Sequence, residues 1–139
     1  MAVKVLPESF TCFTLSLDNL SELTKRFGYS VGDVVLKDFA GLVQLMGDTE
    51  GMRGYNGVGR FVVFFEECSS KKAAAMIRIL DNQVEEYNSL NPEYPIRYTA
   101  AWATTEETDT YEIRELLRLS QKKWKQMEKE KKDKTEEET

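Results

Sequence analysis

The sequence contains no histidine, and this absence excludes several kinds of catalytic site. A Ser-His-Asp triad, a Cys-His dyad and an imidazole general base all require the missing side chain. A zinc site with histidine ligands is excluded for the same reason. The composition therefore permits an enzyme only if its chemistry works without imidazole.

Cysteine and long hydrophobic runs are also scarce. The two cysteines, Cys12 and Cys68, lie too far apart for a CxxC redox or zinc motif, and both flank apolar runs. We expect small core residues in a reducing compartment rather than a disulfide. Because no apolar run could span a bilayer and the N-terminus lacks a signal-peptide pattern, the sequence predicts a soluble, cytoplasmic protein with no membrane segment.

The 19 basic and 24 acidic side chains are unevenly distributed over the 139 residues. Residues 121–139 hold seven Lys and six acidic residues, whereas the preceding part holds 12 basic and 18 acidic residues. This acidic body argues against a nucleic-acid partner, because DNA and RNA binding needs a clustered basic face. In the Lys-rich end, Lys and Glu interleave, and no apolar residue follows Met127, which predicts a charged, disordered tail over 129–139.

Hydrophobic periodicity predicts elements in the order β-α-α-β-β-α-β-α. Hairpin-linked central strands in this order favour an α+β, ferredoxin-like sandwich with a mainly antiparallel sheet covered by helices. Such folds host many activities, so the fold alone does not define a function. The predicted strands are 10–17, a hairpin over 52–65 with an Asn56-Gly57 turn, and 95–103. The first two predicted helices are 19–27 and one from Ser30 to near Gly47. The third is capped by Ser69 or Ser70 and broken at Asn91-Pro92, and the last has Ile113, Leu116, Leu117 and Trp124 facing inward.

Four motifs follow one another along the chain at a characteristic spacing. They are a strand ending in Leu17-Asp18, a helix closing on Phe27-Gly28, the segment GYSVGD from Gly28 to Asp33, and the hairpin GVGRF from Gly57 to Phe61. Together they resemble the GGDEF domain of diguanylate cyclases, which condense two GTP molecules into cyclic di-GMP. The resemblance covers about residues 10–128, and its most specific part is FGYSVGDVVLKDFA. It implies a GGDEF-type sandwich, with residues 1–128 as a single degenerate domain.

The resemblance also implies a metal site whose ligands are missing. The family holds Mg²⁺ with the first Asp of a D-x-D strand end and with two acids in the hairpin turn; those positions correspond to Ser16, Gly59 and Arg60. A serine is a weak neutral ligand, a glycine supplies no side chain, and an arginine brings a cation. We therefore expect no metal, no cofactor and no catalytic residue. Asp18 is a weak metal candidate because it points to the same side of the strand as Ser16.

Nucleotide recognition is partly preserved in the same comparison. The family reads guanine with an Asp, here Asp33, and an Asn, here Thr24. Arg60, beside Gly57 and Gly59, could hold a phosphate without a metal. Two structural alternatives remain open: Asp33 could stabilise the first turn of its helix, and Arg60 could be a surface residue on the hairpin.

Two further family features are altered. A phosphate-binding Lys and Arg correspond to Glu128 and Lys132 when Leu116-Leu117 sets the alignment, and to nearby lysines when Trp124 does. The product-inhibition motif R-x-x-D corresponds to Asp48 and Gly51, so cyclic di-GMP binding through that motif is not expected.

These observations leave three functions open, besides an unrelated ferredoxin-like domain. The leading one is a catalytically inactive signalling module acting in regulation, nucleotide sensing or protein interaction within a larger cytoplasmic protein. Its partners would be other domains of that protein, a separate protein, a guanine nucleotide or a second copy in a homodimer. The second is a GTP-type nucleotide-binding regulator that uses Thr24, Asp33 and Arg60. The third is a residual diguanylate cyclase that uses Asp18 with Mg²⁺ and GTP.

Overall fold

A computed structural model describes residues 9–46, 52–55, 59–108 and 112–138. Within them, four strands and four helices follow the predicted order. Three predicted features lie outside these residues: the helix end at Gly47, the positions Asp48 and Gly51, and the Asn56-Gly57 turn. The strands are β1 (Phe10–Leu17), β2 (Met52–Tyr55), β3 (Arg60–Glu66) and β4 (Tyr98–Thr104); the helices are α1 (Leu20–Phe27), α2 (Tyr29–Gln44), α3 (Ser70–Leu90) and α4 (Ile113–Glu138).

The sheet has the strand order β2-β3-β1-β4, and each neighbouring pair is antiparallel. All eight residues of β1 are buried, because the strand is central and both of its faces are covered. Phe13 and Leu15 belong to the main core, whereas Cys12 packs with Leu116 of α4 on the opposite face. Successive side chains of a strand alternate between the two faces, so the even-numbered residues of β1 lie under α4. The predicted α+β sandwich is confirmed.

The helices bury the stripes that their periodicity predicts. In α2 and α3 the buried residues recur every three or four positions, which places them on one side of each helix. Ser69 caps α3, since its hydroxyl accepts the backbone N–H of Lys72 at 3.2 Å. Both cysteines are buried and unpaired, as expected, and burial raises the pKa of the Cys12 thiol to about 11. Among the described helices, none is long and apolar enough to cross a membrane.

Two boundaries differ most from the prediction. The charged, disordered tail is predicted from residue 129, whereas α4 continues to Glu138. Polar side chains one helical turn apart interact along this extension. For example, Gln126 donates a hydrogen bond of 3.2 Å to Glu130. The last strand begins at Tyr98 rather than at residue 95. Side chains bond the backbone just before it: Asn19 donates to the carbonyl of Pro95, and Asn88 accepts the N–H of Ile96.

Candidate functional site

The predicted metal position lies at the C-terminal end of β1, beneath α4. Ser16 is 5% exposed and is paired with Arg60 of β3 on one side and with Thr99 of β4 on the other. As an even-numbered residue of β1, Ser16 points its side chain towards Trp124 of α4. We call Ser16, Asp18, Arg60, Thr99 and Trp124 the strand-end cluster.

A short chain of hydrogen bonds fills the centre of the strand-end cluster. The indole Nε1–H of Trp124 donates to Ser16 Oγ at 2.7 Å, in a buried contact. The Ser16 hydroxyl in turn donates to Asp18 Oδ1, also at 2.7 Å. A serine hydroxyl has one proton to donate, and Ser16 uses it in the hydrogen bond to Asp18. The resemblance aligns Ser16 with a metal ligand, and here its oxygen is bound to an indole instead.

The Asp18 carboxylate is also partnered by residues of this chain. Thr99 Oγ1 donates to Asp18 Oδ2 at 2.5 Å, and Lys131 Nζ lies 3.6 Å from the same oxygen. Together with the bond from Ser16, these contacts give each carboxylate oxygen a donor. To bind a metal ion, the Asp18 carboxylate would have to give up hydrogen bonds to these donors.

Arg60 lies over the Trp124 ring, with its guanidinium carbon 4.4 Å from the ring centroid. This distance is within the range of a cation–π interaction. Arg60 is also exposed, as expected for a surface residue on the hairpin. That it holds a phosphate stays a prediction.

Gly59 is buried in the backbone that precedes β3. Its carbonyl accepts the N–H of Leu17 at 2.8 Å, and its φ is +76°. A Cβ at this position would lie 3.3 Å from Leu20 Cδ2 and 3.4 Å from the carbonyl oxygen of Leu17. The left-handed conformation and the tight surroundings both favour glycine, at a position that the resemblance aligns with an acidic residue of the family. Gly57 lies outside the described residues.

The guanine-binding residues implied by the resemblance lie where α1 meets α2. Thr24 is half-buried on α1, and a Cβ at Gly32 of α2 would come within 2.5 Å of Thr24 Oγ1. The helices can approach this closely because residue 32 has no side chain. Asp33 follows Gly32 immediately in α2 and is exposed. We call Thr24, Gly32 and Asp33 the helix-pair site.

The structural alternative for Asp33 is wrong. The helix starts at Tyr29, one residue earlier than predicted, and its first turn contains no acidic residue. Asp33 therefore lies in the second turn, beyond the free N–H groups that a carboxylate would stabilise. The cause is Gly28, whose φ of +95° ends α1 and allows α2 to begin at the next residue.

Leu20 joins the helix-pair site to the strand-end cluster. Its Cδ1 would be 3.4 Å from a Cβ at Gly32, and its Cδ2 would be 3.3 Å from one at Gly59. The two glycines thus lie on opposite sides of one leucine side chain. The motifs around Asp33 and Arg60, separate in sequence, therefore meet at Leu20.

Sequence reasoning did not find the contribution of Glu128 and Lys131 to the strand-end cluster. Burial raises the pKa of the Glu128 carboxyl, and neighbouring Asp18 raises it further, whereas Lys131 acts in the opposite direction. The Lys131 ammonium donates to Thr99 Oγ1 at 2.6 Å. A signal was present in the sequence, because Trp124, Glu128 and Lys131 are spaced four and three apart and so share one helix face. Lys132, the other aligned residue, is exposed.

The residues at the three aligned positions do not fit a magnesium ion. Mg²⁺ prefers hard oxygen ligands, above all carboxylates. Ser16 is bound to Trp124 and Asp18, Gly59 has no side chain, and Arg60 is cationic. In the part of the chain that the structure describes, no three His, Cys, Asp or Glu residues come together as a metal-binding group.

Comparison with known proteins defines the class of this chain. The family model described as "Diguanylate cyclase, GGDEF domain" matches residues 3–134. The chain belongs to the GGDEF domain family, in agreement with the resemblance of its motifs.

Solved structures of this family have the same fold. The active GGEEF domain of a diguanylate cyclase from Vibrio cholerae is similar with a TM-score of 0.77 and 19% identity, over 88% of this chain and 78% of that one. An EAL/GGDEF domain protein from M. capsulatus has a TM-score of 0.71 and 14% identity, over 93% and 84% of the two chains. The GGDEF domain of TpbB from Pseudomonas aeruginosa has a TM-score of 0.61 and 22% identity, over 79% and 64%. At these identities the likeness concerns the fold.

Proposed function

We propose that this chain is a catalytically inactive GGDEF-like module that acts in regulation, through protein interaction or nucleotide sensing, as part of a larger cytoplasmic signalling protein. The observation that carries the proposal is the buried hydrogen bond from Trp124 to Ser16, covered by the guanidinium of Arg60. An indole bonded to Ser16 and the guanidinium of Arg60 thus support the proposal, because the resemblance aligns Ser16 and Arg60 with metal ligands of the family.

The physical reason is electrostatic. Phosphoryl transfer from GTP depends on cations that neutralise the triphosphate and hold it in line, and Mg²⁺ normally supplies that charge from a carboxylate site. Here Arg60 adds positive charge beside the position, and Lys131 lies 3.6 Å from the one nearby carboxylate that the resemblance preserves, Asp18. A divalent cation would be repelled by these side chains and would compete with them for Asp18. The chain therefore needs no cofactor for the role proposed here.

A second candidate is a guanine-nucleotide-binding regulator. It is favoured by the exposure of Asp33 beside Thr24, because a free carboxylate can accept hydrogen bonds from the N1–H and amino group of guanine. The N–H edge of Arg60 could contact a phosphate in the same ligand. A residual cyclase that uses Asp18 with Mg²⁺ and GTP is the weakest candidate, since both Asp18 oxygens already have donors.

The decisive experiment incubates the chain with GTP and Mg²⁺ and measures cyclic di-GMP by chromatography. The active GGEEF domain of the Vibrio cholerae cyclase serves as the positive control for the assay. We expect no product from the wild-type chain. Formation of cyclic di-GMP, abolished by Asp18→Ala, would refute the proposal and favour the residual cyclase.

Calorimetric titration with GTP and ATP, with and without Mg²⁺, separates the remaining two functions. Selective binding of GTP that does not need Mg²⁺ and is lost in Asp33→Ala would favour the nucleotide-binding regulator. The matched control is Asp133→Ala, which removes an exposed carboxylate from the far end of α4. Absence of binding to the wild type would favour the protein-interaction module.

A further inference from the structure

In the sheet formed by the described residues, β4 is an edge strand, and its sequence suits pairing with another strand. Among the described strands, β1 is its one neighbour. Its seven residues, YTAAWAT, include no charged residue, no proline and no glycine. Segments of this composition pair readily with copies of themselves when their backbone is accessible, and native proteins protect such edges.

The direction of each β4 backbone group follows from the pairing with β1. The carbonyl of Arg97 accepts the N–H of Asp18 at 2.8 Å, and the N–H of Thr105 donates to the carbonyl of Phe10 at 3.0 Å. Because backbone groups alternate in direction along a strand, odd-numbered residues of β4 face β1. The backbone groups of the even-numbered residues, Tyr98, Ala100, Trp102 and Thr104, therefore point towards the outer edge.

Two lysines of α4 donate to carbonyls at this outer edge. Lys131 Nζ lies 2.8 Å from the carbonyl oxygen of Tyr98, and Lys123 Nζ lies 3.0 Å from that of Trp102. Each ammonium also meets a carboxylate, since Lys123 is paired with Glu107 and Lys131 lies close to Asp18. Both ammonium groups are thus bonded at the edge of the sheet, while the side chains of Lys123 and Lys131 remain 39% and 50% exposed.

Other backbone contacts close the end of the same edge. The carbonyl of Thr104 accepts the N–H of Glu107 at 3.1 Å in the turn that follows β4. Of the four outward carbonyls, those of Tyr98, Trp102 and Thr104 are therefore occupied by groups of this chain.

The spacing of the two lysines matches the spacing of the carbonyls. Lys123 and Lys131 are eight residues apart, which corresponds to about 12 Å along an α-helix. Tyr98 and Trp102 are four residues apart, which corresponds to about 13 Å along a strand. Lys131 bonds Tyr98, and Lys123 bonds Trp102, so α4 runs antiparallel to β4 and its two lysines match two outward carbonyls.

We propose that Lys123 and Lys131 block the outer edge of β4 against strand addition by a second copy of this chain. Antiparallel pairing of two β4 strands would be symmetric, and each strand would need the same outward carbonyls as acceptors. The ammonium groups of Lys131 and Lys123 occupy the carbonyls of Tyr98 and Trp102, so they compete with that pairing. They also place positive charge along the edge. The inference concerns self-association and does not depend on nucleotide binding or catalysis.

The test is the double variant Lys123→Met/Lys131→Met in the full chain, which keeps the length of both side chains and removes their donors. The matched control, Lys122→Met/Lys125→Met, removes the same charge from exposed positions of the same helix. Sedimentation velocity over a range of concentrations measures self-association. We expect the first variant to associate at least tenfold more tightly than the wild type, and the control to behave as the wild type does.

Amide hydrogen exchange then locates the new contact. In the associated double variant, the N–H groups of Ala100 and Trp102 should exchange more slowly than in the dilute wild-type chain. If the folded double variant associates no more than the control, the proposal is overturned. If the double variant fails to fold, Lys131→Met alone decides: association above that of Lys125→Met supports the proposal, and equal association overturns it.

Discussion

The strand-end cluster and the helix-pair site meet at Leu20 but differ in how their polar groups are partnered. In the first, Trp124, Ser16 and Asp18 form a hydrogen-bonded chain beneath α4. In the second, Gly32 packs against Thr24, and the residue that follows it, Asp33, is exposed to solvent. The difference teaches that one fold can bind the polar groups of one cluster through contacts within the chain while it leaves a carboxylate exposed nearby.

The largest expected effect comes from opening the closed side with Trp124→Ala. The substitution removes a buried indole, the donor to Ser16 and the ring beneath Arg60. We expect the free energy of unfolding to fall by about 3–5 kcal/mol, as for other large-to-small core substitutions. Urea denaturation followed by circular dichroism measures this change.

Two variants show what the indole contributes. Trp124→Phe keeps most of the ring but removes the N–H group, and it should cost about 1 kcal/mol through the lost hydrogen bond. Lys125→Ala, an exposed neighbour on α4, should change stability by no more than about 0.5 kcal/mol. A loss for Trp124→Ala as small as that for Lys125→Ala would mean that α4 does not close the cluster.

A matched pair of glycine substitutions gives an effect of intermediate size. Gly59→Ala places a Cβ at a φ of +76° and against Leu20, so we expect a loss of about 1–2 kcal/mol. Gly41→Ala occurs within α2, where an added Cβ meets no atom within 4 Å, and it should gain about 0.5–1 kcal/mol. Thermal unfolding measures both changes, and equal signs for the two variants would contradict the backbone geometry described for Gly59.

The smallest effect is a pH dependence at the boundary of the strand-end cluster. The pKa of Glu128 is raised by burial and by Asp18, so between its folded and unfolded values the folded chain binds more protons. Its contribution to the free energy of unfolding therefore increases as the pH falls from neutral, and is complete below about 4.3, the usual value for an unfolded Glu. The effect is modest because the carboxyl is only partly buried.

Glu128→Gln isolates this contribution, since the amide stays neutral at every pH. We expect the variant to be more stable than the wild type at neutral pH, with a difference that shrinks on acidification. Glu130→Gln, on an exposed position of the same helix, should show a nearly constant difference. Urea denaturation at several pH values provides the comparison, and parallel curves for Glu128→Gln and the wild type would contradict the raised pKa.

Much of the fold could be predicted because local patterns determine it. The apolar spacing from Phe10 to Leu17 gave the bounds of β1, and the order of elements followed from similar patterns. The alignment of Ser16, Gly59 and Arg60 with the family's metal ligands rests on motif spacing and stays a prediction. The contact between Trp124 and Ser16 could not be predicted, because it joins residues 108 positions apart and depends on how α4 lies across the sheet. The start of α2 was missed by one residue because the backbone of Gly28, with its positive φ, is not readable from spacing.

The conformation of Gly59 also bears on how a domain of this kind changes over evolutionary time. A larger side chain placed at this position alone would meet Leu17 and Leu20 and would force a left-handed backbone on a residue that disfavours it. Replacement of this glycine is therefore disadvantageous unless changes elsewhere in the backbone accompany it. Selection on the backbone can thus preserve the residue even where its lack of a side chain serves no chemical purpose.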